Sequence, residues 1–397
     1  MNPRGGGQVL WTREFVTALL AYFFLFLSVT LFLLFPLFLR QFQPARSRMG
    51  LIMGVHSLVA VAVRPLIGRL SDLQGRRKIA LAGIGLIAAV VPFFHLVRGA
   101  GALPLALRAL GGLGWGVGMT ATMTLASDHA PRERLAHSMG VIGVAGLVAN
   151  ALGPVAGEEI IRRFGFGGLF NASIILALAS MACIAAVPDR TRTAAAAGPS
   201  PAAALLRKVG PAVLLVMSAM PVVHGATKGS IDNFIALFGR SAGFGRVGPF
   251  FLAFSLAAIL TRAGLGDVSD RVGRKRVIVP SACVISLNLL LISQVRGYPL
   301  FIAAGFLGGL GQGFIFPALS TYVIDVLGPE NRGLAISLYL TLFDIGNGLG
   351  GPLFGAVSDL AGYRAMYVAA GALMLAAGFL FVLRAPPSET FVKERTL

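Results

Sequence analysis

Three ionisable side chains are spaced four residues apart within one apolar stretch of the chain. The spacing of His224, Lys228 and Asp232 places them along one stripe of a helix. Lys228 could bind an anionic group while His224 or Asp232 gains and loses a proton. The alternative is a structural salt bridge between Lys228 and Asp232. We favour the functional interpretation, because ionisable groups inside an apolar span are costly and mark functional sites by default.

A fourth ionisable side chain lies deep in a different apolar stretch. Asp344 stands about nine residues into a predicted helix, roughly 14 Å from its start at about 1.5 Å per residue. Burial disfavours the charged form of a carboxylate, which suits a group that binds and releases a proton. Asp344 could therefore transfer a proton, form a fixed ion pair with Arg262, or do both in turn.

Three arginines also lie inside predicted apolar stretches. Arg64 and Arg262 each precede the glycine of a basic loop by one helical turn, and Arg108 lies one or two turns from a helix end. Each could bind an anionic ligand or take part in proton coupling. The alternative for each is a guanidinium that extends to the membrane surface along its aliphatic stem.

These charges stand out because the rest of the chain is apolar. The 397 residues are 56% hydrophobic and only 13% charged, whereas soluble domains carry about 25% charged residues. The net charge of +18 could suggest nucleic-acid binding. We reject that interpretation, because the basic residues cluster between apolar spans, where they set topology and contact lipid headgroups. Cys183 and Cys283 both lie in apolar spans, so we expect no disulfide and no metal site.

The apolar stretches predict an all-α membrane protein. A membrane-spanning helix needs about 20 mostly apolar residues. Twelve such spans are predicted: 14–39, 49–68, 78–97, 104–126, 137–160, 168–187, 210–238, 247–266, 277–294, 299–325, 335–358 and 365–384. The Ala- and Pro-rich segment 188–209 is predicted to be a cytoplasmic linker between residues 1–187 and 210–397. Roughly twice as many Lys and Arg lie on one side, which predicts that both termini are cytoplasmic.

The chain also repeats itself. The segment 64–78 recurs as 262–276, and the same offset maps Gly153-Pro154 onto Gly351-Pro352. Such a long-period repeat fixes the architecture, and two repeated halves of membrane helices are typical of secondary transporters. We expect two six-helix bundles around a central cavity, with the Gly-Pro pairs bending their helices.

The repeated basic loop resembles that of the major facilitator superfamily, G-x-L-x-D-x-x-G-R-[RK]. The first copy matches fully and the second has Val268 in place of leucine. The resemblance implies a conformational latch between the two halves of the protein, which is released during alternating access. Its residues here would be Gly68, Asp72, Gly75 and Arg76, repeated as Gly266, Asp270, Gly273 and Arg274.

Two further motifs are similar to those of the family. The run that begins at Arg108 resembles R-x-x-q-G-x-G, with Gly111 in place of glutamine. The fifth span resembles a motif that is enriched in antiporters, although Ala149 and Glu158 replace two glycines. In the monocarboxylate branch, an arginine at the position of Arg262 binds the substrate carboxylate. The present chain lacks that branch's Asp one turn earlier, where it has Ala258.

The resemblance implies a cavity lined by helices 1, 4, 7 and 10. Candidate lining residues are Tyr22, Trp115, Thr122, Gln312 and Tyr322. The sequence contains no nucleotide-binding loop, no zinc-ligand spacing and no nucleophile–base constellation, so we expect neither an enzyme nor a cofactor.

The resulting expectation is a proton-coupled antiporter that exports a small anionic or zwitterionic organic compound. It would be a monomer in a bacterial-type inner membrane. Uptake or exchange of an organic anion is the first alternative, since Lys228 and Arg262 are cationic. Lipid or lysolipid flipping is a second alternative, and a membrane sensor that no longer transports is disfavoured by the two latch copies. The sequence alone leaves the substrate and direction open.

Overall fold

The computed structural model describes residues 11–131, 134–189, 211–265, 272–328 and 331–385. Most of the predicted linker 188–209 lies outside these residues, as do Gly266 and Asp270 of the second latch loop. The backbone of Gly68 and Asp72 lies within the second long helix.

The described chain is almost entirely helical. Its helices are α1 (Arg13–Thr30), α2 (Phe35–Leu39), α3 (Arg46–Gln74), α4 (Arg76–Val90), α5 (Ala102–Asp128), α6 (Leu135–Ala186), α7 (Pro211–Ser241), α8 (Gly248–Leu265), α9 (Arg274–Gln294), α10 (Tyr298–Leu327) and α11 (Arg332–Arg384). Short 3₁₀ turns at Leu31–Leu34 and Arg40–Phe42 extend the α1–α2 rod, and another at Val91–Leu96 extends α4.

Two of these elements each contain two helical segments joined at a glycine. Gly165 in α6 has φ 68° and ψ −171°, and Gly362 in α11 has φ 82° and ψ 172°. Side chains other than glycine rarely adopt this backbone region. With α6 and α11 divided there, and with α1 and α2 taken as one rod, the helical segments correspond to the twelve predicted spans.

The helices are those of a membrane protein. Within the described residues, seven helices are long and apolar enough to cross a membrane. Two of them, of 50 and 53 residues, belong to α6 and α11, the helices that are divided at glycines. The all-α class and the two-bundle architecture predicted from the sequence are confirmed. Pro154 and Pro352 lie inside α6 and α11, as the repeat predicted.

The two halves of the protein meet along two helix pairs, α3 with α11 and α6 with α8. We call the end of the molecule that carries Gly75 and Gly273 the latch end, and the opposite end, where α3 and α8 begin, the far end. At the far end, Gly50 packs on Gly351 and Gly54 packs on Gly348. A Cβ added at Gly54 would lie 2.0 Å from the Gly348 carbonyl oxygen, so the α3–α11 seam requires glycine.

Candidate functional site

An ion pair joins the two halves of the protein where the α3–α11 seam runs toward the latch end. Arg64 of α3 donates to the carboxylate of Asp344 of α11. Both side chains keep 20% of their surface exposed, so the pair is accessible. One turn along α11 from Asp344, Asn347 Oδ1 accepts from Ser57 Oγ at 3.1 Å. This bond and the glycine contacts hold α3 beside α11.

The sequence-based alternative that paired Asp344 with Arg262 is wrong. Arg64 and Arg262 are equivalent in the repeat, but of the two helices that carry them it is α3 that packs along α11. Arg262 belongs to α8, whose partner helix across the seam is α6. The packing of α3 on α11 therefore determines that Arg64 is the partner of Asp344. The spacing of charges along the sequence could not show this, because it does not reveal which helices are neighbours.

Arg262 lies in the second seam, without a carboxylate partner among the described residues. Its guanidinium reaches across to α6, where a Cβ added at Gly143 would be 3.3 Å from Nη1. The Phe316 ring centroid is 5.4 Å from its Cζ, and the Tyr339 ring packs on Phe316 at 5.1 Å. The Tyr22 hydroxyl lies one turn further along α6, where a Cβ added at Gly146 would be 3.2 Å from it. The Nε atom of Arg262 is buried and has no hydrogen-bond partner among the residues that the structure describes. Arg262 is thus a cation with unused donors between the two halves.

The three ionisable residues of α7 divide into two groups. His224 is buried, and its Nε2 lies 2.7 Å from Oε1 of Gln312. Its Nδ1 lies 3.4 Å from the Tyr339 hydroxyl, and its ring contacts Phe343. The predicted cavity residue Gln312 thus orients His224. Tyr339 joins this group to the surroundings of Arg262.

Lys228 and Asp232 form the ion pair that the sequence analysis left as the structural alternative. Lys228 donates to Asp232 within α7, and its Nζ lies 5.3 Å from the Phe254 ring centroid of α8. Their side chains keep 14% and 18% of their surface exposed. Lys228 therefore has its charge compensated, whereas Arg262 does not have a carboxylate partner in the chain as described.

Arg108 does not extend to the membrane surface. It is 7% exposed and points into the N-terminal half, where Nη2 lies 3.4 Å from the Met53 carbonyl oxygen. Its Cζ lies 5.6 Å from the Phe32 ring centroid. His56 of α3 lines the same small cavity and is 8% exposed. The sequence analysis missed His56, although a lone histidine within an apolar span was the available signal.

The other predicted cavity residues differ in how deeply they are buried and in which half of the protein they contact. Tyr22 lies near Arg262, and Trp115 is half-buried with its ring 6.4 Å from that of His56. Thr122 and Tyr322, which were also predicted to line the cavity, are both fully buried among packed helices. Tyr322 packs its ring 5.0 Å from that of Phe381, inside the C-terminal half.

The glycines that directly precede α4 and α9 have the same backbone conformation. Gly75 and Gly273 have φ values of 90° and 94°, which explains why glycine stands at both positions. Arg76 pairs with Asp128 at the end of α5, and Arg274 Nε donates to Asp325 near the end of α10 at 3.2 Å. These ion pairs lie within one half each, and the sequence analysis missed both carboxylates.

The far end contains two reciprocal contacts that sequence reasoning also missed. Glu158 of α6 accepts from the backbone N–H groups of Val247 (2.7 Å) and Gly248 (2.9 Å), at the start of α8. Asp359 of α11 accepts from the backbone N–H groups of Arg46 (2.7 Å) and Ser47 (2.9 Å), at the start of α3. Each half thus caps a helix of the other half. The available signal was Glu158 standing where the antiporter-like motif has glycine.

The site contains no metal-binding group of His, Cys, Asp or Glu side chains among the described residues. The Arg64–Asp344 pair and Arg262 lie at seams between two similar helical halves, which is the arrangement of a secondary transporter. The chain belongs to the Major Facilitator Superfamily, whose family model matches residues 18–279 and 239–397. The expectation from the sequence motifs is therefore confirmed.

Two relatives illustrate the similarity along the chain. The uncharacterized MFS-type transporter YhhS of Escherichia coli O6:H1 is 28% identical over 366 residues, which cover 86% of this chain and 84% of that protein. YhhS of Salmonella typhimurium is 28% identical over 374 residues, covering 85% and 84%.

Solved structures show the same fold. The human organic anion transporter MFSD10 (TETRAN) superposes with a TM-score of 0.68 at 20% sequence identity. The superposition covers 93% of this chain and 98% of the MFSD10 chain. A mutant of the nucleoside transporter NupG superposes with a TM-score of 0.79 at 14% sequence identity, over 94% of this chain and 100% of the NupG chain.

Proposed function

We propose that this transporter exports a small anionic or zwitterionic organic compound in exchange for protons. The observation that carries the proposal is Arg262, a cation between the two halves with a buried, unpaired Nε and no carboxylate partner in the described residues. Guanidinium groups bind carboxylates through paired, charge-assisted hydrogen bonds. A substrate anion would supply the missing partner and would contact both halves, as alternating access requires.

The surroundings of Arg262 favour a compound with an apolar or aromatic body. Phe316 lies beside the guanidinium, and the rings of Phe316 and Tyr339 pack on each other at 5.1 Å. The similarity in fold to an organic anion transporter agrees with this substrate class. Uptake or exchange of the same anion would use the same contacts.

Proton coupling is assigned to Asp344. In its charged form, Asp344 binds Arg64 across the seam between the halves. A proton on the carboxylate would cancel this charge pairing and would let α3 and α11 separate. Proton binding would thereby change the relative stability of the two conformations. With both termini in the cytoplasm, the latch end would be the cytoplasmic end.

Substrate binding tests the role of Arg262. Purified protein is titrated with small carboxylates, such as benzoate, and with their methyl esters. A charge-assisted hydrogen bond contributes about 1.5–3 kcal/mol, so Arg262→Ala should weaken carboxylate binding by roughly 10- to 100-fold. Arg162→Ala, at an exposed arginine of the far end, is the control and should bind normally. Equal binding of acid and ester, unchanged by Arg262→Ala, would reject an anion site.

Transport in proteoliposomes tests proton coupling. A pH gradient should drive wild-type counterflow of the bound carboxylate, and Asp344→Asn should abolish the dependence on the gradient. Glu159→Gln removes an exposed carboxylate paired within its own helix and should retain the dependence. Gradient-independent wild-type transport, or full coupling in Asp344→Asn, contradicts the assignment. Movement of a fluorescent lysolipid without carboxylate transport would favour a flippase instead.

A further inference from the structure

We propose that the N-terminal half contains a buried binding site for one small monovalent inorganic anion of the size of chloride, held by Arg108 and His56. This site is separate from Arg262 and does not depend on the proposed substrate. It lies in a cavity between α1, α3, α4, α5 and α6. Residues that line the cavity include Ser28, Phe32, His56, Arg108, Gly111 and Ser173.

The charge balance of the cavity points to an anion. Arg108 is 7% exposed, and it has no ion pair with a carboxylate among the described residues. Its Nε is buried without a hydrogen-bond partner in the same part of the chain. Isolated buried charges are costly, and two other cations inside the helical spans, Arg64 and Lys228, are each paired with an aspartate. A bound anion would compensate Arg108 in the same way.

The available donors converge on the same space. Within the described ranges, both ring nitrogens of His56 are buried and make no hydrogen bond of normal geometry, although the ring lies close to the Arg108 backbone. A neutral imidazole carries one N–H, which can donate to an anion. The hydroxyls of Ser28 and Ser173 also line the cavity but already bond to each other at 2.8 Å. Arg108 and His56 therefore provide the unused donors.

The size of the cavity limits the anion. About 20 Å³ is open to the centre of a water-sized sphere, and one such particle needs roughly 10–15 Å³ by this measure. Chloride fits this space, whereas a carboxylate with an organic body does not. Gly111 contributes to the space, because a Cβ added there would lie 3.7 Å from His56 Nδ1, in ordinary contact. A larger side chain at position 111 would occupy the site.

Thermal unfolding in matched salts provides the test. Protein in sodium gluconate is titrated with sodium chloride at constant ionic strength, so that only the small anion changes. Binding to the folded state should lower the unfolding equilibrium constant about 100-fold at a chloride concentration of 100 times Kd. Arg108→Met should lose this chloride effect, whereas Arg162→Met, at an exposed arginine, should keep it. Identical melting curves in chloride and gluconate, or the same effect in Arg108→Met, would overturn the proposal.

A spectroscopic measurement keeps the test independent of folding of the arginine variant. The chain has two tryptophans, and Trp115 lies 6.4 Å from the His56 ring. In a Trp11→Phe background, bromide should quench Trp115 in a saturable manner, and chloride should reverse the quenching. Gly111→Ala should weaken bromide binding several-fold and chloride binding less. Linear quenching that chloride does not reverse would show collision from solvent and would reject the site.

Discussion

Arg64 and Arg262 occupy equivalent positions of the repeat but have different partners. Arg64 pairs with Asp344 across the α3–α11 seam, and Arg262 lies against Gly143 and Phe316 without a carboxylate partner in the described chain. Equivalent arginines of the repeat therefore have different surroundings: one is paired across the seam, and the other is the arginine that we propose binds the substrate. The difference originates in α11, which has Asp344 where the equivalent helix α6 has Gly146.

The Lys228–Asp232 pair allows a prediction about stability. Removing one partner of a buried pair leaves an uncompensated charge and costs about 3–5 kcal/mol. Because both side chains keep some exposure, we expect Lys228→Met to cost on the order of 2 kcal/mol. The double variant Lys228→Met/Asp232→Asn should recover most of this loss.

Melting temperatures of the single and double variants, measured in the same detergent, check this expectation. Thr17→Ala, at a polar residue near the start of α1, serves as a control for an ordinary side-chain loss. If the double variant is less stable than Lys228→Met alone, Lys228 and Asp232 do not compensate each other.

At the scale of helices, the glycines of the α3–α11 seam decide whether the far end can close. A Cβ added at Gly54 would lie 2.0 Å from the Gly348 carbonyl oxygen, whereas Gly140 of α6 has open space around it. We expect Gly54→Ala to separate α3 from α11 and to favour a conformation with an open far end. Gly140→Ala should leave the conformation unchanged.

Spin labels report this change directly. Labels at Gln43→Cys and Arg240→Cys, in a background without Cys183 and Cys283, measure the width of the far end. Gly54→Ala should increase the population of long distances relative to Gly140→Ala. Superimposable distance distributions in the two variants would show that the seam tolerates the added methyl group.

The latch loops lead to a prediction from their symmetry. Arg76 and Arg274 each pair with a carboxylate near the end of the fourth helix of their own half, Asp128 or Asp325. Because such a charge-assisted bond contributes about 1.5–3 kcal/mol, we expect Asp128→Asn and Asp325→Asn to slow transport by similar factors of roughly 10 or more. Transport rates in proteoliposomes measure both, and a large effect of only one would show that the two latches have unequal roles.

The positions of the helices could be predicted from the sequence, whereas the contacts between the helices could not. The bilayer fixes the length of each apolar span, and the repeat fixes the number of halves, so both could be derived from local patterns. The partner of Asp344 depends on which helices pack across the seam, and that depends on Gly54 and Gly348, far apart in the chain. The burial of Thr122 and Tyr322 could not be derived for the same reason, because a polar residue on a membrane helix can face either its own bundle or the cavity.

For the molecule as a whole, the same type of contact joins the two halves at the far end in both seams: a carboxylate of one half caps the N-terminus of a helix of the other half. Glu158 caps the start of α8, and Asp359 caps the start of α3. In each half the carboxylate follows the Gly-Pro pair of the long helix and accepts from the first N–H groups of a helix of the other half. A carboxylate at a helix N-terminus satisfies unpaired N–H groups and interacts favourably with the helix dipole.

These caps exist only while the far end is closed, so they contribute directly to the conformational equilibrium. Loss of an N-cap costs about 1 kcal/mol, which corresponds to a roughly fivefold shift in a two-state equilibrium. Glu158→Ala and Asp359→Ala should each shift the population toward the open far end by about this factor. The two sites lie in separate seams, so we expect the double variant to combine both effects, roughly 25-fold.

The far-end labels described above measure these populations. Glu159→Ala is the matched control, because this adjacent carboxylate pairs with Arg162 and Arg163 of its own helix and does not join the halves. It should leave the distances unchanged. If Glu158→Ala and Asp359→Ala have no more effect than Glu159→Ala, the caps do not stabilise the closed end. If the double variant has no more effect than either single variant, the two seams open as one unit and each cap is needed for closure.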